Sequence, residues 1–552
     1  MYIKNIKLNN FKCFQGEYIC NFCIPDGKTL GSGLNVFVGE NNSGKSSLME
    51  AIYFVRNKGK KDVKCIESSE GDEFYIEQTF VGDIENVVNN FVQDNKKETF
   101  KRRIYEENNE KLFTVKRNFE DDEEIKKILF LNKDTGEYKN ESGIDGPFQS
   151  FFQISNIWAK TNPEKESKFG SSTVCGNLLS DISEKFKIDH EEQYKKFLQI
   201  FTETFNDEKS GLQADLNQVA SETEIILNEQ FGQAKLRFRF ENPEPDILFS
   251  NIKIFVKDSG PETELSEKGH GMQRAVILSL LQVYAKRITE IIDTDGNKKL
   301  KPHFLFIDEP EMGLHPQAQK KLFEALRVIS KTHQVFISTH SENFIPVDLI
   351  SNIFKFNKEK TSGKITIFDG KNLTLDLKVN RKFFMHHHKL FFTDKAIFVE
   401  GVDDFELYPV YLEKTKPHLK KDLHFIGGCG NYLIFRELCD GFGIKSSFIF
   451  DLDVINKNST LFDKYSEIKE KITLLGKELL SGVPKNQRSE NLFDISLSSE
   501  EKKLKQKIIE SLMKLNYFVL PSGAIENYLD ANGSSIGNES ELENIFSKVE
   551  II

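Results

Sequence analysis

A glycine-rich segment from Gly39 to Ser46 is the feature that most constrains this chain. It matches the pattern G-x-x-x-x-G-K-[ST] in full, and such a loop surrounds nucleotide phosphates with its backbone N–H groups. Apolar residues alternate before the segment as on a strand, and they recur at helical spacing after it, at Leu48, Ile52 and Val55. The sequence therefore predicts a strand, a phosphate-binding loop and a helix in succession.

Within this loop the residue types suit a nucleotide with its magnesium ion. Lys45 supplies a positive charge, the start of the helix favours anions, and the Ser46 hydroxyl is a ligand for Mg²⁺. The alternative is a glycine-rich turn without a ligand. The residues predicted to contact the nucleotide here are Gly39, Asn42, Gly44, Lys45, Ser46 and Ser47.

Three later segments carry chemistry of the same kind. The apolar run 304–307 predicts a buried parallel strand that ends in Asp308, expected to hold Mg²⁺, and Glu309, expected to orient or deprotonate the attacking water. A second apolar run delivers His340, which could contact the γ-phosphate. A glycine turn that opens a helix offers N–H groups to an anion and comprises Gly269, Gly271 and Gln273.

In this order the segments resemble the Walker A, signature, Walker B and switch-histidine motifs of ABC-type ATPases of the SMC-like branch. The resemblance implies an α/β P-loop ATPase domain over residues 1–380 in which two copies of the chain sandwich ATP. The signature departs from the family pattern: it reads Ser-Glu-Lys-Gly-His-Gly-Met-Gln instead of Ser-Gly-Gly-Gln. Gln153 is a weak match to the Q-loop glutamine.

Two stretches of this domain have their own periodicity. Residues 74–119 alternate apolar and polar side chains, which predicts an antiparallel sheet. Residues 181–230 change to helical spacing and predict two amphipathic helices inserted in the domain. Their apolar stripes fit either core packing or a dimerisation surface.

A second group of acidic residues follows short apolar strands in the last third of the chain. Glu400 ends one strand with Asp404 four residues beyond it, and Asp451 and Asp453 follow another with both carboxylates on one side of an extended segment. Glu526 follows a third strand and turn. Hard oxygen ligands that converge in this way suit Mg²⁺ or Mn²⁺ and phosphodiester hydrolysis. Each acid on its own would be an ordinary solvated loop residue.

The order Glu-Gly then Asp-x-Asp resembles the Toprim domain, and an ABC ATPase followed by Toprim resembles the OLD (overcoming lysogenization defect) family of nucleases. The resemblance implies a Toprim α/β domain over residues 390–552 in a homodimeric, ATP-linked DNA endonuclease that uses Mg²⁺ or Mn²⁺, of a type found in antiphage defence. It leaves open a companion defence protein or nucleic acid. Gly428-Cys429-Gly430 lacks the expected basic residue, so the family's catalytic lysine is unassigned.

The composition indicates the class of protein but does not identify its substrate. With 552 residues, 38% hydrophobic and 29% charged, the chain fits several soluble domains, and it has neither an apolar signal segment nor an uncharged run of about 18 residues. Seven scattered cysteines do not suggest a disulfide framework, so we expect a cytoplasmic protein. The net charge of -10 excludes a wholesale basic nucleic-acid binder but permits metal-bridged contact with phosphates.

Two other functions fit the motifs. The chain could be an ATPase switch that controls a partner protein, with a Toprim domain that does not catalyse. A primase or topoisomerase would also use Toprim acids, but the sequence contains no other recognisable domain of those enzymes.

Overall fold

The computed structural model describes most of the chain. The described residues are 1–57, 65, 73–118, 127–141, 143–157, 190–205, 211–231, 235–237, 253–257, 260–269, 272, 273, 275–277, 279, 280, 283, 302–373, 387–428, 431–452, 454, 498–523, 528 and 539–551.

The described strands and helices are numbered in chain order. The strands are β1 (Tyr2–Phe11), β2 (Phe14–Asn21), β3 (Leu34–Gly39), β4 (Tyr75–Val81), β5 (Tyr105–Glu107), β6 (Glu110–Asn118), β7 (Leu129–Asn132), β8 (Glu137–Asn140), β9 (Gln153–Ile157), β10 (Phe255–Val256), β11 (Thr263–Glu264), β12 (His303–Asp308), β13 (Gln334–Ser338), β14 (Ile353–Lys358), β15 (Ile365–Asp369), β16 (Lys395–Val399), β17 (Leu423–Phe425), β18 (Lys445–Phe450) and β19 (Tyr517–Val519). The helices are α1 (Lys45–Asn57), α2 (Ile84–Phe91), α3 (Asp94–Lys101), α4 (Asp145–Ser150), α5 (Glu191–Phe205), α6 (Gly211–Phe231), α7 (Pro316–Ile329), α8 (Val402–Thr415), α9 (Tyr432–Gly441), α10 (Ser499–Met513) and α11 (Glu539–Ile551).

A six-stranded sheet forms the centre of the ATPase domain, in the order β15-β14-β3-β13-β12-β9. All its neighbouring strands run parallel except the β14–β15 pair. Its central strands are apolar on both faces because both faces are covered. Val36 and Val38 of β3 enter one hydrophobic core, whereas Phe37 between them enters the core on the opposite face.

The antiparallel sheet predicted from residues 74–119 is confirmed for its strands but not for the segment between them. β4 and β6 pair, and β1 extends the sheet. Residues 84–101, which we expected to be β-structure, instead form helices α2 and α3. Ile84, Val87 and Val88 have helical spacing and are buried, and Asp83 caps α2 by accepting from the N–H of Asn86.

The Toprim domain is built on four parallel strands in the order β17-β16-β18-β19. One face of this sheet, including Phe398 and Phe448, shares a continuous hydrophobic core with the central ATPase sheet. Polar contacts cross the same boundary: the Nζ of buried Lys355 on β14 donates to Thr393 O at 2.6 Å, and Asn357 Nδ2 donates to Gly443 O at 3.2 Å. The two domains therefore share one hydrophobic core and hydrogen bonds across their boundary.

The predicted helical insertion is present as α5 and α6, and residues 181–189 lie outside the described part. α5 has no buried residue, and Phe197 and Ile200 on it are exposed. Within this structure its apolar stripe is thus surface, and dimerisation through it stays a prediction. Strand β10 pairs with β11 in a separate two-stranded sheet. Among the described residues, no helix has both the length and the apolar character needed to cross a bilayer.

The packing of the two domains generates a stability prediction. Gly443 has φ +62°, and a Cβ there would lie 2.2 Å from Phe368 Cζ at the domain boundary. We expect Gly443→Ala to destabilise the protein by about 2–4 kcal/mol, because backbone strain and overpacking add. The matched control is Gly363→Ala, because Gly363 also has a positive φ, +70°, but a Cβ there would have only Lys358 Cε within 4 Å, at 3.9 Å. This variant should lose only about 1 kcal/mol of stability, from backbone strain. Equal melting temperatures of the two variants by calorimetry would contradict this.

Candidate functional site

The phosphate loop connects β3 to α1, as the motif predicted. Gly39 has φ +140°, and a Cβ there would meet the Phe356 carbonyl oxygen at 2.3 Å. Gly44 has φ +101°, and a Cβ there would lie 2.9 Å from Ile365 Cδ1. Both positions require glycine because the loop backbone is left-handed and tightly enclosed. Asn42 also has a positive φ of 61°, a conformation that asparagine tolerates.

The Lys45 side chain lies folded into this loop. Its Nζ donates to Gly39 O at 3.0 Å and to Glu40 O at 2.7 Å. Burial lowers the pKa of Lys45 to about 8, against the opposing effect of nearby carboxylates, of which Asp308 is the largest. The buried Lys45 ammonium could exchange its hydrogen bonds to these carbonyl groups for hydrogen bonds to a phosphate oxygen, which would also neutralise its charge.

Ser46 and Asp308 meet at the start of α1 and the end of β12. Ser46 Oγ donates to Asp308 Oδ1 at 3.0 Å, and the Ser338 hydroxyl donates to the same oxygen. Adjacent ligands of an octahedral Mg²⁺ at about 2.1 Å would be about 3.0 Å apart, so the oxygen pair fits this ion. Ser338 was not foreseen from the motifs, although it directly follows a predicted strand. In the sheet it lies opposite Asp308.

Glu309 has a strained backbone with φ +50°, which is rare for a residue with a side chain. The conformation is held by its N–H, which donates to Ser338 O at 2.9 Å. The strain turns the chain sharply after β12, directly beside the Ser46–Asp308 pair. This position is consistent with a residue that acts on water near the terminal phosphate.

His340 follows β13 at the same edge of the sheet. Burial lowers the pKa of its imidazole, the charge of Lys45 lowers it further, and Asp308 opposes both. The side chain thus lies within electrostatic reach of the two residues that would contact phosphate and metal. Its backbone N–H donates to Glu311 Oε1 at 2.6 Å. Glu311 was also missed from sequence, although it is the next acid after the Asp308-Glu309 pair.

The signature segment is described in part. Gly269 has open space where a Cβ would be, and its carbonyl accepts from the N–H groups of Met272 and Gln273. The Gln273 side chain is buried, and its Nε2 donates to Lys268 O at 2.7 Å and to Ser266 O at 3.1 Å. The Gln273 side chain thus stabilises the turn that precedes it, and its contact with nucleotide stays a prediction. Gly271 lies outside the described residues.

At the second centre, two predicted acids follow neighbouring parallel strands. β16 and β18 pair with Val399 opposite Ile449, so Glu400 and Asp451 emerge at the same edge of the Toprim sheet. Glu400 Oε2 is buried and has no hydrogen-bond partner among the residues that the structure describes. A buried carboxylate oxygen of this kind fits a cation ligand, because leaving it unsatisfied would be costly.

The other predicted acids behave differently or are not described. Asp404 is buried, and its Oδ2 accepts from the Gly401 N–H at 2.8 Å, so it caps the first turn of α8. Asp453 and Glu526 lie outside the described residues, as does Cys429. Within the described part, no group of three or more His, Cys, Asp or Glu side chains could hold a metal ion. Coordination by more than Glu400 and Asp451 therefore stays a prediction.

Comparison with known families finds a match in each of the two parts of the chain. Residues 1–345, more than half of the chain, match the AAA ATPase domain family. Residues 391–453, which include Glu400 and Asp451, match the overcoming lysogenization defect protein-like Toprim domain. The chain belongs to the AAA ATPase domain family, and it matches the ATPase–Toprim architecture of the OLD family. It combines an ATPase domain with a nuclease-type Toprim domain.

Two nucleases among its relatives align with this chain over most of their length. The Old nuclease of Escherichia phage P2 is 26% identical over 76% of this chain and 73% of its own length. Endonuclease GajA of Bacillus cereus is 22% identical over 96% of this chain and 86% of its own length. An SMC head bound to the winged-helix domain of ScpA covers 67% of this chain and 98% of its own, with 16% identity and a TM-score of 0.38. The sheet orders of the chain and its two family matches define its fold.

The ATPase site predicts opposite effects for two substitutions. We expect Glu309→Gln to keep ATP affinity while kcat falls about 10²- to 10⁴-fold, because the amide cannot accept a proton from water. Lys45→Ala should instead lose ATP binding, because the cation inside the phosphate loop is removed. Binding by calorimetry and phosphate release separate the two outcomes. Normal turnover by Glu309→Gln would remove this residue from the mechanism.

Proposed function

We propose that this chain is an ATP-regulated, divalent-metal-dependent DNA endonuclease that acts as a homodimer in cytoplasmic antiphage defence. The carrying observation is the pairing of β16 with β18, which brings Glu400 and Asp451 to one edge of the Toprim sheet. The carboxyl ends of parallel strands are where α/β proteins gather catalytic ligands. The names of the relatives Old nuclease and endonuclease GajA support nuclease chemistry and, through GajA, a defence role.

The residues at this edge are suited to hold a cation and position a phosphodiester. Glu400 contributes a buried carboxylate oxygen, and Asp451 follows β18, where Leu452 N–H donates to Gly523 O at 2.9 Å and fixes the backbone. We propose that Asp453 and Glu526 complete the ligand set, and that Asp404 adds to it or holds the Glu400-Gly401 turn. Bound Mg²⁺ or Mn²⁺ would activate water and stabilise the leaving oxygen.

The domain packing supports a link between ATP and cleavage. β14 pairs on one side with β3, the strand that leads into the phosphate loop, with Phe356 opposite Gly39. Lys355 of the same strand donates to Thr393 O, two residues before β16 begins, and its Nζ lies 3.2 Å from Asp394 Oδ1. A displacement of β3 on nucleotide binding could thus be transmitted through β14 and its hydrogen bonds to β16, the strand that Glu400 follows.

The same proposal includes a homodimer, a divalent metal ion and a DNA substrate. A second copy would supply the signature turn to each phosphate loop, and exposed α5 is a surface suited to hold the copies together. With a net charge of -10, contact with DNA would depend on bridging cations and local basic residues. A companion defence protein or nucleic acid could act as the trigger.

The decisive experiment measures cleavage of plasmid DNA with Mg²⁺ or Mn²⁺, with and without ATP. We expect Asp451→Ala to abolish cleavage, by more than about 10²-fold, while ATP turnover persists, because the substitution removes a cation ligand remote from the phosphate loop. Asp440→Ala is the control, since this exposed acid lies at the end of α9 and precedes the opposite end of β18. Cleavage by Asp451→Ala at the wild-type rate would refute the assigned site.

If the wild-type protein never cleaves DNA under any of these conditions, the second function is favoured. The chain would then be an ATPase switch for a partner, with a Toprim domain used only as a scaffold.

A further inference from the structure

Two loops at the nucleotide edge are joined by side chains that belong to none of the ATPase motifs. The Walker B loop comprises residues 309–315 after β12, and the histidine loop comprises residues 339–343 after β13. Each loop carries one residue expected to act at the terminal phosphate, Glu309 on the first and His340 on the second. Their relative position therefore matters for hydrolysis.

Glu311 bridges the two loops with both of its carboxylate oxygens. Oε2 accepts from the Thr339 hydroxyl at 2.9 Å, and Oε1 accepts from the His340 N–H at 2.6 Å. Thr339 is fully buried, and burial also raises the pKa of Glu311, an effect that these donors oppose. Removing the Glu311 carboxylate from water costs free energy, and the two hydrogen bonds from the histidine loop offset that cost. The two bonds together fix the position of the histidine loop relative to Glu311.

Gln319 of α7 makes a second bridge between the same loops. Its Oε1 accepts from Ser341 Oγ at 2.7 Å and from Asn343 Nδ2 at 3.0 Å, while its Nε2 donates to Leu314 O at 2.9 Å. The Walker B loop and the histidine loop are thus connected at both ends.

We propose that Glu311 is a positioning residue for ATP hydrolysis, which holds His340 in register with Glu309 so that the two loops act as one unit. The inference rests on the ATPase function of this site. Phosphate binding is assigned to the loop around Lys45, to which Glu311 makes no hydrogen bond among the described residues, and its charge acts on Lys45 only after those of Asp308 and Glu309. Losing the bridge should therefore affect turnover much more than ATP affinity.

The first test is Glu311→Gln. The amide oxygen can still accept from the His340 N–H, but the NH₂ group can only donate to the Thr339 oxygen, which must turn its own proton away, and the charge that strengthens both bonds is lost. We expect kcat for ATP to fall about 10- to 100-fold, with KM changed less than about threefold, because misplacement of a reacting group acts on the transition state. Glu324→Gln, an exposed acid on α7, makes the same chemical change and should leave both constants at wild-type values.

The second test works even if Glu311→Gln does not fold. Thr339→Ser keeps the donating hydroxyl and should retain kcat within about twofold, whereas Thr339→Val removes the donor at nearly the same volume and should lower kcat at least about fivefold. In the double variant, Thr339→Val should add little to Glu311→Gln, because both changes break the same bridge.

Three results would overturn the inference. They are unchanged kcat in Glu311→Gln, a KM that rises as much as kcat falls, or equal kcat in the two Thr339 variants. Wild-type protein that does not hydrolyse ATP would refute the ATPase function and this inference together, so the two failures are distinguishable.

Discussion

The structure depends on strand β3 being buried on both faces between parallel neighbours. Val36 and Val38 pack into one core and Phe37 into the other, which fixes the register of β3 against β13 and β14. That register brings the ends of β3, β12 and β13 to one edge. Core packing brings the phosphate loop together there with Asp308 and His340, although Ser46 and Asp308 are 262 residues apart in the chain.

The same packing extends past the ATPase domain. β14 borders β3 on one side, and its neighbourhood contacts the Toprim domain through Lys355 and through a continuous hydrophobic core. Interiors packed at this density transmit displacement instead of absorbing it. The segment that leads into β16, the strand followed by Glu400, is consequently in contact with the neighbour of the strand that precedes the phosphate loop.

Both centres contain groups that are costly on their own. Glu309 has a left-handed backbone, Lys45 is a desolvated cation, and Glu400 has a buried oxygen without a partner among the described residues. Such features persist only where the surrounding structure holds them in place, and they are typical of ligand-binding and catalytic sites. The large apolar cores on both sides of each sheet supply that constraint.

By itself, the sequence determined what lies close along the chain: the phosphate loop between β3 and α1, the strands that end in Asp308, Glu400 and Asp451, and the two successive domains. Motif spacing and periodicity are local properties, so they are readable without a fold. Only the tertiary structure decided that residues 84–101 are helical, that Asp404 caps a helix, that Gln273 turns inward, and that Ser338 and Glu311 join the nucleotide edge. The contacts of Ser338 and Glu311 join segments brought together by the fold, which no pattern within one segment encodes. The helices, the Asp404 cap and the Gln273 turn rest on short-range contacts, and the motifs alone do not select these over β-structure or ligand contacts.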